Sequence, residues 1–358
     1  MKKTLLYRFL FVSFTILSFI SCTTTKFGTN NHIPPTITQE KGYISIPIYY
    51  GTNRNKMDDE HLYGGKWTDE IKYGYYTASI PKSHETGKLE QPDVLAKLLG
   101  QDFDPTRYIH ILKNEELSKE TFLSYLAQAL NRDKEDHAFI FIHGYNNSFE
   151  SSALRTAQLF YDLDYKGVPI MYSWPSTAKS IGYFKDGINI EKSTALFETF
   201  ILDIVKNNPG KKLNLIAHSM GNRLLVETIT QLQKNHPSIK FENIIMAAPD
   251  VGKNDFQKNY HEPIIQSAQH VNLYCSKKDK ALSLSKILNL QHRLGLADSK
   301  IYVNKPLQTV DITNSGDCED ILSHTCFAQT KSILADIQAL INGGEINREE
   351  KNSIFYLK

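Results

Sequence analysis

The sequence predicts an α/β fold, with a mostly parallel central sheet flanked by helices and a strand-rich N-terminal segment leading into it. Three observations carry this. Short continuous apolar runs at Ala138–Ile142, Val168–Tyr172 and Leu213–Ala217 have the length and character of strands buried on both faces. Helical patterns alternate with them, which is βαβ connectivity with right-handed crossovers. Between about Lys41 and Lys113, aromatic and β-branched runs end in Gly, Pro and Asn, the pattern of strands joined by turns. A chain of 358 residues that is 41% hydrophobic can bury a large core. Its 41 basic and 39 acidic residues leave a net charge of +2, and no basic concentration suggests a nucleic-acid partner.

In chain order, Met1, Lys2, Lys3 and Arg8 form a positive start, and Phe9 to Ile20 an apolar stretch short for a membrane span. Phe19-Ile20-Ser21-Cys22 resembles the lipobox of bacterial lipoproteins, with Phe where Leu is usual. Residues 1–21 therefore read as a lipoprotein signal peptide, with Cys22 as the lipidated N-terminus of an exported, envelope-anchored protein. An ordinary signal peptide or an uncleaved anchor is the alternative. Residues 22–40, polar and ending near Pro34-Pro35, read as a tether. The main domain is set at 41–345, and residues 346–358 as a charged, peripheral tail.

Within the domain, strands are expected at YISIPIYYGTNRN, at Tyr73–Pro81 and at Arg107–Lys113, with loops over Asn55–Glu70 and Lys82–Pro105. Ser118 is placed to cap a helix running to about Arg132, with Phe122, Leu123, Leu126 and Leu130 on its apolar face. Phe149, Ala153, Ala157 and Phe160 mark the next helix. Ser173-Trp174-Pro175-Ser176 opens an irregular segment to Asn189, followed by a helix through Leu196, Phe200 and Ile204. Strands at Phe241–Ala247, Gln269–Cys275 and Thr309–Thr313 follow, with helices from Ala281 to Leu290 and through Ile333, Ile337 and Leu340 to Gly343-Gly344.

With Cys22 lipidated, three cysteines remain, so at least one thiol is free. Cys275 reads as a small core residue; Cys318 and Cys326 bracket a short loop, and whether they pair is left open. No CxxC or HExxH spacing occurs, so neither metal nor cofactor is expected.

The chemistry centres on LNLIAHSMGNRLLVETITQL, Leu213–Leu232. The apolar strand breaks at His218-Ser219-Met220-Gly221 and a helix starts at once. Such a turn projects the serine hydroxyl beside the positive end of the helix. It is the nucleophile elbow G-x-S-x-G with Ala217 in place of the first glycine. A serine nucleophile needs a histidine base and a carboxylate to orient it, in the chain order Ser, acid, His. Of the histidines after the elbow, His270 begins a strand and His292 precedes the last strand, whereas His324 lies in a loop after TVDIT. The acid is Asp279, after the penultimate strand, or Asp250, after the strand before it; Asp279 occupies the commoner position. Asp317 and Asp320 read as solvated loop charges, with local hydrogen bonding by either as the alternative. Two N–H groups must hold the developing oxyanion. Met220 supplies one; Tyr145, in His143-Gly144-Tyr145, supplies the other. Gly144 lets that loop approach the substrate, His143 braces it, and Trp174 and Tyr183 line the pocket or pack in the core.

The stretches IPIYYGTNRN, FIFIHGYNNSFESSALRTAQLFYDL, GVPIMYSWPS, LIAHSMGNRLL, AAPDV and LYCSKKDKAL resemble a group of bacterial α/β-hydrolases of uncharacterised function, esterase-like and lipoprotein-like. The resemblance implies the α/β-hydrolase fold and a Ser219-Asp279-His324 triad. It departs in the last loop, where Ser323-His324-Thr325 stands for the usual Gly-His-Ser. The expected activity is hydrolysis of a small-molecule or lipid-like ester through an acyl-enzyme. Acyl transfer or peptide hydrolysis on the same triad, or a binding lipoprotein that keeps only the fold, are the alternatives. The oligomeric state is not legible.

Overall fold

The computed structural model describes residues 33–57, 62–93, 96, 98, 103–132, 136–298 and 301–358. The expected signal peptide, Cys22 and most of the expected tether lie outside them.

Five strands form the centre: β5 (His137–Ile142), β6 (Val168–Ser173), β7 (Lys212–His218), β8 (Phe241–Ala247) and β9 (Ala268–Cys275). They pair in parallel in the order β9-β8-β7-β5-β6. Side chains on a strand alternate between faces, so an unbroken apolar run needs cover on both sides. Ile140, Leu215 and Ile244 face one layer, built from α1 (Lys119–Arg132), α3 (Tyr183–Asn207), α4 (Gly221–Asn235) and α5 (His261–Ser267) through Phe122, Phe200, Leu225 and Ile264. Phe139, Ile216 and Ile245 face the other, where α2 (Phe149–Asp162) and α7 (Lys331–Asn342) contribute Phe149, Ala157 and Ile337. Ser118 caps α1 as expected, its Oγ accepting Thr121 N–H at 3.2 Å.

On the β6 side, β2 (Tyr43–Lys56) pairs in parallel with β6, and β3 (Tyr63–Pro81) and β4 (Ile111–Leu117) continue antiparallel. Much of the stretch expected as a loop over 55–70 is strand, because β2 and β3 continue as one long hairpin past the sheet. A short β1 (Thr38–Gln39), inside the expected tether, also pairs with β2.

On the β9 side, β10 (Gln308–Asp311), β12 (Ile354–Leu357) and β11 (Arg348–Lys351) complete the sheet. The expected tail is therefore sheet, and Pro34–Lys358 forms one compact unit. The physical reason lies in Arg348. Its guanidinium is buried against Asp336, with N–O distances of 2.6 and 2.8 Å, and donates to Tyr274 Oη at 2.9 Å and to Asn272 Oδ1 at 2.7 Å. Of the charges that made the stretch look peripheral, Arg348 is neutralised inside while Glu349, Glu350 and Lys351 stay exposed.

Candidate active site

Ser219 closes β7 with φ of +53°, in the left-handed region that non-glycine residues rarely occupy. The strain is held from several sides. Ser219 N–H donates to Ala247 O at 3.0 Å, and Ser219 O accepts from Asn222 N at 3.1 Å and Asp250 N at 3.1 Å. Gly221 opens α4, where a Cβ would lie 2.4 Å from His143 O. A Cβ on Gly144 would lie 2.9 Å from Ser219 Cβ, so the β5 loop passes directly against the serine. Ala217, by contrast, is an ordinary buried strand residue. The second elbow glycine is needed for close approach; the first is not.

Asp279 follows β9 and caps α6 (Lys280–Leu288), with Oδ1 accepting Leu282 N–H at 2.8 Å. Its other oxygen, Oδ2, meets His324 Nδ1 at 2.7 Å. The carboxylate is 1% exposed and the imidazole 14%. Burial alone would lower the His324 pKa, but the charge and hydrogen bond of Asp279, joined by the charges of Asp250 and Asp320, together outweigh it and the net direction is upward. Asp250, the alternative acid, is committed elsewhere. Arg293 Nε and Arg223 each reach one of its oxygens at 2.8 Å, and Tyr183 Oη donates to it at 2.8 Å. Arg223 and Arg293 also line a neighbouring cleft of about 660 Å³.

His218 links the histidine loop to the elbow. Its Nε2 donates to His324 O at 3.1 Å, and its ring lies 4.7 Å from the His324 ring and 4.6 Å from that of Phe327. Burial, followed by the charge on His324, pushes its pKa well below 6.5, so it is neutral. The loop itself is organised by Asp320, the residue read as a solvated charge. Its Oδ2 accepts His324 N–H and Thr325 N–H at 2.9 Å each, and Oδ1 accepts Leu322 N–H at 3.0 Å. Burial would raise its pKa, yet these donors hold it below the ordinary range. Cys318 and Cys326 are bonded, with Cα atoms 5.2 Å apart, and close the loop that carries His324.

Met220 is the residue before α4, where N–H groups have no acceptor four residues back. Tyr145 follows Gly144 on the facing loop, and its phenol reaches across to the carbonyl oxygens of Lys179 and Ser180. Trp174, read as pocket wall or core, and His143, read as a brace, are both internal. Trp174 is wholly buried, stacked on His143 at 4.9 Å, and donates its indole N–H to His143 O at 2.7 Å. His143 is buried too: Nδ1 lies 2.8 Å from Gly144 O, and Nε2 faces Arg54 Nη2 at 3.2 Å. Burial and the Arg54 charge bring its pKa down to about 3, so it braces and does not titrate.

Sequence reasoning missed Arg54. This buried guanidinium also donates to Ser173 Oγ at 2.8 Å, Ser176 O at 2.9 Å and Asn147 O at 2.8 Å, fixing both loops that flank the site. Burial lowers its pKa to about 9, which leaves it charged at neutral pH. The signal was an arginine ending an otherwise apolar strand in TNRN. The segment 173–189 also differs from expectation: α3 begins at Tyr183, not after Asn189. Asp186, accepting from Ser176 Oγ and from Thr177 N–H at 2.8 Å, ties the helix start to the preceding loop.

A model of the family described as alpha/beta hydrolase of unknown function (DUF900) matches residues 118–343. A search of curated proteins finds no match. Among solved structures, the chain is similar to MenH from S. aureus, with 13% identity over 59% of this chain and 94% of that one and a TM-score of 0.32. It is also similar to phospholipase PlaB from Legionella pneumophila in complex with thio-NAD, with 16% identity over 49% of this chain and 37% of that one and a TM-score of 0.26.

Proposed function

From the premise that the chain belongs to the alpha/beta hydrolases of unknown function, we propose that it is a serine hydrolase acting on carboxylic esters. One observation carries the reading. A serine held at positive φ on the β7–α4 turn shares its end of the sheet with a histidine hydrogen-bonded to a buried carboxylate, in the chain order Ser, Asp, His. Ser219 Oγ attacks the acyl carbonyl while His324 Nε2 takes its proton. The N–H groups of Met220 and Tyr145 hold the oxyanion, and the alcohol leaves with the proton from His324. Water then adds to the acyl-enzyme by the same route and releases the acid. Asp279 orients the imidazole and stabilises its charged form; Arg54, His143 and Trp174 support the oxyanion loop from inside.

The test is labelling of the folded chain by a fluorophosphonate. Wild type is expected to label and Ser219→Ala to stay blank; an unlabelled wild type sinks the proposal. Turnover of matched ester, thioester and peptide substrates then separates esterase from transferase or peptidase activity. Export and anchorage at Cys22 rest on the sequence pattern and belong to the same proposal. The intact mass of the mature chain checks them: residues 1–21 should be gone and acyl groups present on Cys22.

A further inference from the structure

Three segments surround the site end of the sheet: the loop and helix start over Ser176–Ile190, the stretch Ser276–Leu290 that includes α6, and the histidine loop. They are joined. Tyr183 Oη lies 2.8 Å from Asn289 Nδ2 and from Ser285 Oγ. Lys280 N–H donates to Leu322 O at 2.9 Å, and its Nζ to Ile321 O at 3.0 Å. All three expose large apolar side chains. Ile181 is 91% exposed, Ile321 83%, Leu290 94% and Ile287 68%, with Phe184 also exposed. Phe184 and Ile188 stand four residues apart on α3, and Leu284, Ile287 and Leu288 at helical spacing on α6, so each helix turns an apolar face outward. Soluble domains rarely expose contiguous apolar surface of this kind.

The charge on the first two of these segments has one sign, while the histidine loop carries the exposed Asp317 and Glu319. Across Ser176–Ile190 and Ser276–Leu290 the only acids, Asp186 and Asp279, are buried, whereas Lys179, Lys185, Lys277, Lys278 and Lys280 are exposed. An apolar surface set among lysines is complementary to a bilayer with anionic headgroups. Acyl tails receive the apolar side chains, and each lysine near the anionic surface contributes roughly fivefold in partitioning.

We propose that this rim is a docking face for an anionic lipid surface, which brings the site to acyl esters presented in a membrane. Only the substrate clause rests on the hydrolase reading; the docking does not. Pro35 lies at the opposite end of the sheet, beside Gly167 and Val168 at the start of β6. The chain from Cys22 to Pro34 reaches on the order of 40 Å when extended, against about 20 Å for a six-residue strand, so a lipid at Cys22 leaves the rim free to meet the same membrane.

The test is hydrogen exchange on the full chain with vesicles of phosphatidylcholine alone or with about a third phosphatidylglycerol. Peptides covering 181–188 and 284–290 are expected to gain protection only with the anionic vesicles. Ile287→Glu with Leu290→Glu should abolish that protection and leave the urea midpoint unchanged, since both side chains face solvent. Vesicle binding without protection of these peptides overturns the proposal, because it assigns the contact to the N-terminal segment. Protection that instead rises with protein concentration in the absence of lipid overturns it in favour of a second copy. Ser219→Ala should dock like wild type, so a failure of the hydrolase reading and a failure of docking give different results.

Discussion

Asp279 divides its two carboxylate oxygens between the N–H of Leu282 and the imidazole of His324. One residue therefore starts a helix and sets the state of the proposed base. A base must be neutral to accept the serine proton, and the Asp279 charge moves the His324 pKa upward. The rising limb of kcat/KM against pH is accordingly expected above the ordinary histidine value of about 6.5. Asp279→Asn should bring that limb down and reduce kcat by about ten-thousand-fold, while the amide oxygen can still cap α6. A limb that stays in place in a folded variant would show that another acid governs His324. His324 and its two candidate acids, Asp250 and Asp279, were legible because chain order and strand ends constrain them. Asp320 was not: three charges stand near the histidine in sequence, and only the folded loop selects the one that its own backbone donors surround.

At the scale of elements, a further buried histidine ties the loop after β3 to α2. His84 Nδ1 lies 2.7 Å from Glu90 and Nε2 2.8 Å from Asp162, with the imidazole 1% exposed. Asp162 also accepts Gly87 N–H at 2.8 Å and is bonded to Gln158, which donates to Ala328 O at 2.9 Å, so the tie extends to the end of the histidine loop. Burial opposes the charge on His84, but the two carboxylates prevail and raise its pKa to about 9. A group with a raised folded pKa stabilises fully below its unfolded value, near 6.5, and loses that contribution as pH rises through 9. The urea midpoint is expected to fall between pH 6.5 and 9.5 in wild type and to change less in His84→Gln, whose unfolding free energy at pH 6.5 is lower by an amount on the order of a few kcal/mol. Parallel curves for the two proteins would remove His84 from the account. In the sequence, KSHETGKLE reads as a polar loop, since the partner Asp162 lies on a helix far along the chain.

For the whole molecule, periodicity and turn chemistry in the sequence by itself determined the central parallel strands, their helices and the elbow. Those patterns are local, and a strand buried on both faces has little choice of composition. The long β2–β3 hairpin, the C-terminal strands and the early start of α3 escaped, because their polar residues find partners only in three dimensions. Arg348 is neutralised by Asp336, Arg54 is spent on carbonyl groups of two loops, and Asp186 holds the turn before its own helix. Trp174 shows the same limit from the apolar side: its type suits a pocket wall or a core, and only packing against His143 decides for the core. Tertiary structure alone also pairs one of these two acids with His324, giving Asp250 to arginines and Asp279 to the histidine. A sequence records which groups are charged or apolar; the fold decides which of them meet, and so which charges are cancelled and which are left to act.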